Sequence, residues 1–308
     1  MNIIQSFYQI DKNICYFNNE NDNKNDNYLI NFYSLLLSFI TLKQLNYDVT
    51  IYCNSFAYEK ILKFIPYDNV IINNINIDNY ENEWVMMKLN VYEKQTQPFI
   101  HIDGDVFLFQ DLLSDFINSM EYDVIVQSIE ISNYIYGRFY RNNYNILSDY
   151  NFISDKNNDK IIEHHGGVGY NAGVIGFKDI DFLKKYVSYV KKLNHLINDD
   201  ILKNICHQPM IVEQFSLFHS AQINNKIVYE ILPYDDIMQN GENDVGNRIG
   251  YTHLLSGNKY VDYFVMLIRT KIFKNYPQYI KNVTAFESSI DNKYIEFFKH
   301  SDLDYFLN

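Results

Sequence analysis

Short apolar runs alternate with helical patterns through the first third of the chain, and this alternation constrains the fold more than any single residue. It is the signature of βαβ units that build a largely parallel sheet with helices on its faces. Strands are expected at Ile3 to Phe7, Val49 to Cys53, Val70 to Ile72 and Phe99 to Ile102. Between them, Tyr28 to Leu45, Phe56 to Phe64 and Glu83 to Tyr92 show helical periods. Beyond the acidic residues that end the fourth strand, a helix near Leu112 to Met120 and a strand at Val124 to Gln127 are expected. A polar, Tyr-rich insert over 132–160 reads as a candidate flap.

In the second half, glycines bracket a short apolar strand within 166–177, and helices follow at Asp181 to Leu193 and Val212 to His219. A strand is expected at Ile227 to Leu232, then a loop rich in Asn and Gly as far as Gly250, then Tyr251-Thr252-His253. An aromatic helical tail begins near Tyr260. The expected organisation is a main domain over 1–260 with a C-terminal helical extension, 261–308, packed on it.

Composition narrows the class. Of the 308 residues, 47% are hydrophobic and 21% charged, enough apolar material for a large core. Acidic residues outnumber basic ones 38 to 26, a formal net charge of −12, so the field of the protein repels a nucleic-acid backbone and no nucleic-acid partner is expected. The three cysteines, Cys15, Cys53 and Cys206, lack the close spacing of a thiolate metal site or a disulfide framework. No signal-peptide pattern opens the sequence, and the apolar stretch Leu35 to Ile40 falls short of the about 20 residues a membrane span needs. A cytoplasmic protein without a transmembrane segment is expected.

The most informative segment is Pro98-Phe99-Ile100-His101-Ile102-Asp103-Gly104-Asp105-Val106-Phe107-Leu108. Carboxylates at i and i+2 of an extended chain project to the same side, and the glycine between them leaves room for a ligand to approach. Together they can hold a hard divalent cation at the carboxyl end of a buried strand, where open α/β sheets bind ligands. Asp-Gly is also ordinary turn chemistry. The acidic pair stands between two core segments, however, where it is costly unless a cation or hydrogen bonds compensate.

With these residues on the page, the chain resembles the metal-dependent glycosyltransferases of the GT-A type, in which an Asp-x-Asp ends a central strand of a Rossmann-like, mixed and mostly parallel sheet. The resemblance extends to Ile4-Gln5-Ser6-Phe7, Lys88, Tyr170-Asn171-Ala172-Gly173, Glu213-Gln214 and His253, in the order expected of bacterial glycosyltransferase-like proteins. His253-Leu254-Leu255-Ser256-Gly257-Asn258-Lys259 is distantly similar to a segment of the glycogenin-related retaining transferases.

This resemblance implies that Asp103, Asp105 and His253 bind Mn²⁺ or Mg²⁺, the imidazole favouring Mn²⁺. It implies a nucleotide-diphosphate sugar as donor and a glycan or other glycoconjugate as acceptor, as in polysaccharide biosynthesis. Gly104 would lie against the donor, Lys88 and Lys259 would face its diphosphate, and Gln5 and Phe7 its nucleobase. Asn171, Ala172 and Gly173 would approach the donor sugar, and His164 and His165 the acceptor. Glu213 could take a proton from an acceptor hydroxyl, whereas the amide of Gln214 could only orient or stabilise.

Two other readings compete. A catalytically silent nucleotide-sugar-binding module would keep the same residues. A phosphohydrolase also places two aspartates after an apolar strand, but in the order Asp-x-Asp-Gly-Thr, whereas here the glycine lies between the aspartates. A nucleotidyltransferase would call for a Gly-rich phosphate loop near the first strand, and none is seen.

Overall fold

The computed structural model describes residues 1–9, 26–75, 83–131, 168–198, 210–254 and 262–290. The strands, in chain order, are β1 (Asn2–Phe7), β2 (Val49–Cys53), β3 (Asn69–Ile72), β4 (Phe99–Ile102), β5 (Val106–Leu108), β6 (Val124–Ile131), β7 (Val168–Phe177), β8 (Val228–Glu230) and β9 (Tyr251–His253). The helices are α1 (Asp26–Gln44), α2 (Ser55–Lys60), α3 (Glu83–Glu93), α4 (Ser114–Asn118), α5 (Ile180–Asn198), α6 (Ser216–Ile223), α7 (Tyr234–Asn240), α8 (Glu242–Ile249), α9 (Asp262–Asn275) and α10 (Ile280–Glu287). Seven strands form one sheet in the order β3-β2-β1-β4-β7-β6-β8, and β5 pairs with β9. The pairs β1/β4, β2/β3 and β6/β8 are parallel, while β7 runs antiparallel to both of its neighbours. The mixed, mostly parallel α/β sheet expected from the sequence is therefore present.

Two compact units divide the chain: Met1–Ser6, Ile75–Asp103 and Gln110–Tyr251 in the first, Phe7–Asn74, Gly104–Phe109 and Thr252–Asn308 in the second. In the first unit, all four residues of β4 are buried, which is why the strand reads as an unbroken apolar run instead of an alternating one. Phe99 packs between Tyr92 of α3 at 5.6 Å and Phe177 of β7 at 5.8 Å, and Tyr186 of α5 stacks on Phe177 at 5.7 Å. Each such ring contributes about 1.5–3 kcal/mol by leaving water.

The second unit is built on α1, whose Phe32 stacks on Phe286 of α10 at 3.8 Å. Arg269 of α9 binds Glu287 at 2.6 Å, and the Tyr33 hydroxyl donates to the same carboxylate. Among the described residues, no helix is long and apolar enough to cross a membrane.

Several local expectations are corrected. The helix expected over Phe56 to Phe64 breaks at Ile61 and resumes as a single 3₁₀ turn, Leu62–Phe64. That expected over Leu112 to Met120 contracts to α4, because the Asp111 carboxylate accepts the Leu113 and Ser114 N–H groups and holds the approach as a turn. The loop expected before Gly250 contains α7 and α8, separated by Gly241 at φ 82°. These helices are short and rich in Asn, Asp and Gly, residues that read as a loop. The flap over 132–160 lies outside the described residues.

Candidate functional site

In the first unit, β4 alternates its side chains, so His101 and Asp103 follow Phe99 on one face. The Asp103 N–H donates to the Gly173 carbonyl at 2.8 Å, which ties the end of β4 to β7. The Asp103 carboxylate is held by Lys88 of α3, whose ammonium lies 2.8 Å from Oδ1 and 3.0 Å from Oδ2. Lys88 is buried and also stands 3.3 Å from Oε1 of Glu213. Burial alone would lower the lysine, but Asp103 and then Glu213 outweigh it and hold the ammonium above its ordinary pKa.

Glu213 sits in a π-helical turn, Ile211–Phe215, that leads into α6. Its side chain is 1% exposed, and neither carboxylate oxygen has a well-formed hydrogen bond among the described residues, the approach of Lys88 being a charge contact. Burial pushes its pKa up to about 7; Lys88 offsets part of this and Asp103 adds to it. A carboxyl group so placed can gain or lose a proton near neutrality, as general acid–base chemistry requires. Gln214, beside it, is half-buried.

In the second unit, Asp105 and His253 face each other with Oδ1 3.6 Å from Nε2. Their strands are joined where the Leu254 N–H donates to the Asp105 carbonyl at 3.0 Å. Gly104 is required here by packing. A Cβ on it would lie 2.4 Å from Cδ2 of Leu35 in α1, so the space read from the sequence as room for a ligand is filled on that side by a leucine. Asp105 and His253 thus offer a carboxylate and an imidazole within one unit, donors suited to Mn²⁺.

The other expected residues fall as follows. Gln5 is fully buried on β1 and Phe7 is half-buried. Asn171, Ala172 and Gly173 are interior to β7 and buried. The pairing of β7 with β6 shifts register between Val126 and Ser128, leaving a bulge at this point. Asn171 serves that bulge: its Oδ1 accepts the Gly173 N–H at 3.0 Å and its amide donates to Glu130 at 2.8 Å. His164, His165 and Lys259 lie outside the described residues.

Two residues without an assigned role stand next to the acidic pair. His101 is fully buried, with Nε2 2.9 Å from Oγ of Ser6 and Nδ1 3.6 Å from Oδ1 of Asp103. The signal for His101 was its i, i+2 relation to Asp103 on the strand. Its contact with Ser6 depends on the pairing of β1 with β4.

The fold is a mixed, mostly parallel α/β sheet with acidic residues, Asp103 and Asp105, following a central strand. The chain belongs to a family of unknown function, DUF6734, whose pattern matches residues 1–286. No curated protein sequence matches it. Among solved structures it is similar to a glycosyltransferase involved in glycosylation of the major capsid of PBCV-1, at 9% identity over 84% of this chain and 96% of that one, TM-score 0.39. It is also similar to the glycosyltransferase GlyE of Streptococcus pneumoniae, at 11% identity over 83% of this chain and 55% of that one, TM-score 0.41. A third is the inositol-1-phosphate CTP transferase of T. maritima, at 12% identity over 89% of this chain and 96% of that one, TM-score 0.41.

Proposed function

We propose that this chain transfers a sugar from a nucleotide-diphosphate sugar to a glycan or other glycoconjugate acceptor, with a divalent cation held by Asp103, Asp105 and His253. The observation that carries this reading is the buried charge group where β4 ends, in which Lys88 grips both oxygens of Asp103 and stands 3.3 Å from Glu213. When bound, such a cation supplies positive charge to the diphosphate that departs.

The remaining work falls to the chain's own side chains. Lys88 is a buried ammonium against Asp103 and Glu213 and offsets their charge, which lessens the repulsion of an anionic donor in a protein of net charge −12. Glu213, with a pKa of about 7, takes the proton of an acceptor hydroxyl, and Gln214 orients the reacting sugar. Phe7 receives the nucleobase, Gln5 being fully buried within β1, and Lys259 is assigned to the diphosphate and His164 and His165 to the acceptor.

Calorimetric titration of UDP, GDP, CDP and ADP, each with and without Mn²⁺, tests the reading. We expect binding of one diphosphate that needs Mn²⁺ and is weakened at least about tenfold by Asp105→Asn. Equal binding by wild type and variant would overturn it. Donor binding without metal-dependent sugar release would favour the silent binding module, and phosphate release from simple phosphoesters the hydrolase.

A further inference from the structure

Ser6, His101 and Asp103 stand in succession where β1 and β4 end. The two strands are parallel, with Ile4 opposite His101, so Ser6 lies two residues further along on the same face as Ile4. Its Oγ is 2.9 Å from His101 Nε2, while Nδ1, across the ring, is 3.6 Å from Asp103 Oδ1. His101 is fully buried and its Nδ1 has no hydrogen bond among the described residues; Ser6 is half-buried. The Tyr92 ring meets the imidazole edge-on at 5.3 Å and restricts its rotation.

A neutral imidazole carries one proton, and the surroundings decide where. On Nε2, that proton would leave the Nδ1 lone pair facing a carboxylate oxygen in a dry site, negative against negative. On Nδ1, it directs the N–H dipole at Asp103 and frees Nε2 to accept the Ser6 hydroxyl, so both ring nitrogens are used. A nucleophile relay is a poor fit to the same three residues. Lys88 already neutralises Asp103, which removes the charge that would activate such a relay.

We infer that His101 is a positioning residue: held by Ser6 with its proton on Nδ1, it presents an N–H to Asp103 and fixes the orientation of that carboxylate as a cation ligand. Lys88 grips both Asp103 oxygens, and the His101 N–H dipole, 3.6 Å from Oδ1, adds an electrostatic preference for one orientation of the carboxylate. The second half of the inference rests on the cation reading of Asp103; the first half concerns the metal-free protein alone.

The test has two arms. In the full-length protein labelled with ¹⁵N-histidine, the resonance that disappears in His101→Asn reports the tautomer, and the Nδ1–H pattern is expected. Ser6→Ala should shift it toward a mixture. Calorimetry with Mn²⁺ alone should show affinity lowered about tenfold in His101→Phe and within about threefold of wild type in His101→Asn, whose amide keeps an N–H near the Nδ1 position. A wild-type Nε2–H tautomer, assigned through either His101→Asn or His101→Phe, overturns the inference, as does wild-type Mn²⁺ affinity in His101→Phe. Failure of the wild type to bind Mn²⁺ overturns the cation reading and the positioning role with it, while the tautomer pattern still decides whether Ser6 locks the ring.

Discussion

The ammonium of Lys88 lies 2.8 Å from Oδ1 and 3.0 Å from Oδ2 of Asp103, so a buried lysine on α3 grips both oxygens of the carboxylate that ends β4. Removing one partner of such a pair leaves the other without its counter-charge, at a cost of about 3 kcal/mol. Lys88→Met should lower the unfolding midpoint in urea accordingly, and Mn²⁺ should restore more stability to the variant than it adds to wild type. Equal stabilisation of the two proteins by Mn²⁺ would count against a cation at Asp103.

Glu213 sets a pH dependence. Its folded pKa, about 7, lies above the ordinary carboxylate value of 4.5. The folded state therefore binds this proton more tightly than the unfolded chain does. The stability it contributes is complete below pH 4.5 and is lost as pH rises through about 7. Glu213→Gln keeps the shape and cannot ionise, so urea midpoints at pH 5 and pH 8 should differ less in the variant than in wild type.

Asp68 behaves in the opposite sense. Burial raises its pKa, but the Lys43 ammonium at 2.7 Å and the Val49 N–H at 2.8 Å prevail and hold it below the usual carboxylate range. Its contribution is present above the unfolded pKa and is lost as pH falls through the lower folded one. Asp68→Ala should cost about 1–2 kcal/mol at pH 7. Chemical denaturation near pH 3 should show a smaller difference.

Gly104 offers a steric test. A methyl group placed 2.4 Å from Leu35 Cδ2 should cost Gly104→Ala about 1–3 kcal/mol. Leu35→Ala carries its own cavity penalty, yet the double variant should be more stable than the sum of the two single costs, because each change relieves the other. Strict additivity in a thermal-unfolding cycle would show that the backbone moves aside instead.

How much could be read in advance differs from element to element for physical reasons. Strands β2 and β4 were placed correctly because burial on one face or both leaves a pattern inside a window of five residues or fewer. Helices α7 and α8 were missed because they are short and rich in Asn, Asp and Gly, which read as a loop, with Val245 and Gly246 their fully buried residues. Asn171 was read as approaching a donor sugar. Only the register shift between β6 and β7 reveals that it closes a bulge.

The sequence by itself determined that a buried strand ends on Asp103-Gly104-Asp105, because strand alternation and burial are properties of neighbouring residues. It also determined the sign of the overall charge and the alternation of strands with helices. Tertiary structure alone decided that Lys88 and Glu213 share one buried charge group with Asp103, that Ser6 caps His101, and that His253 faces Asp105. Those juxtapositions come from strand register and helix packing, where burial free energy summed over distant segments outweighs any local preference.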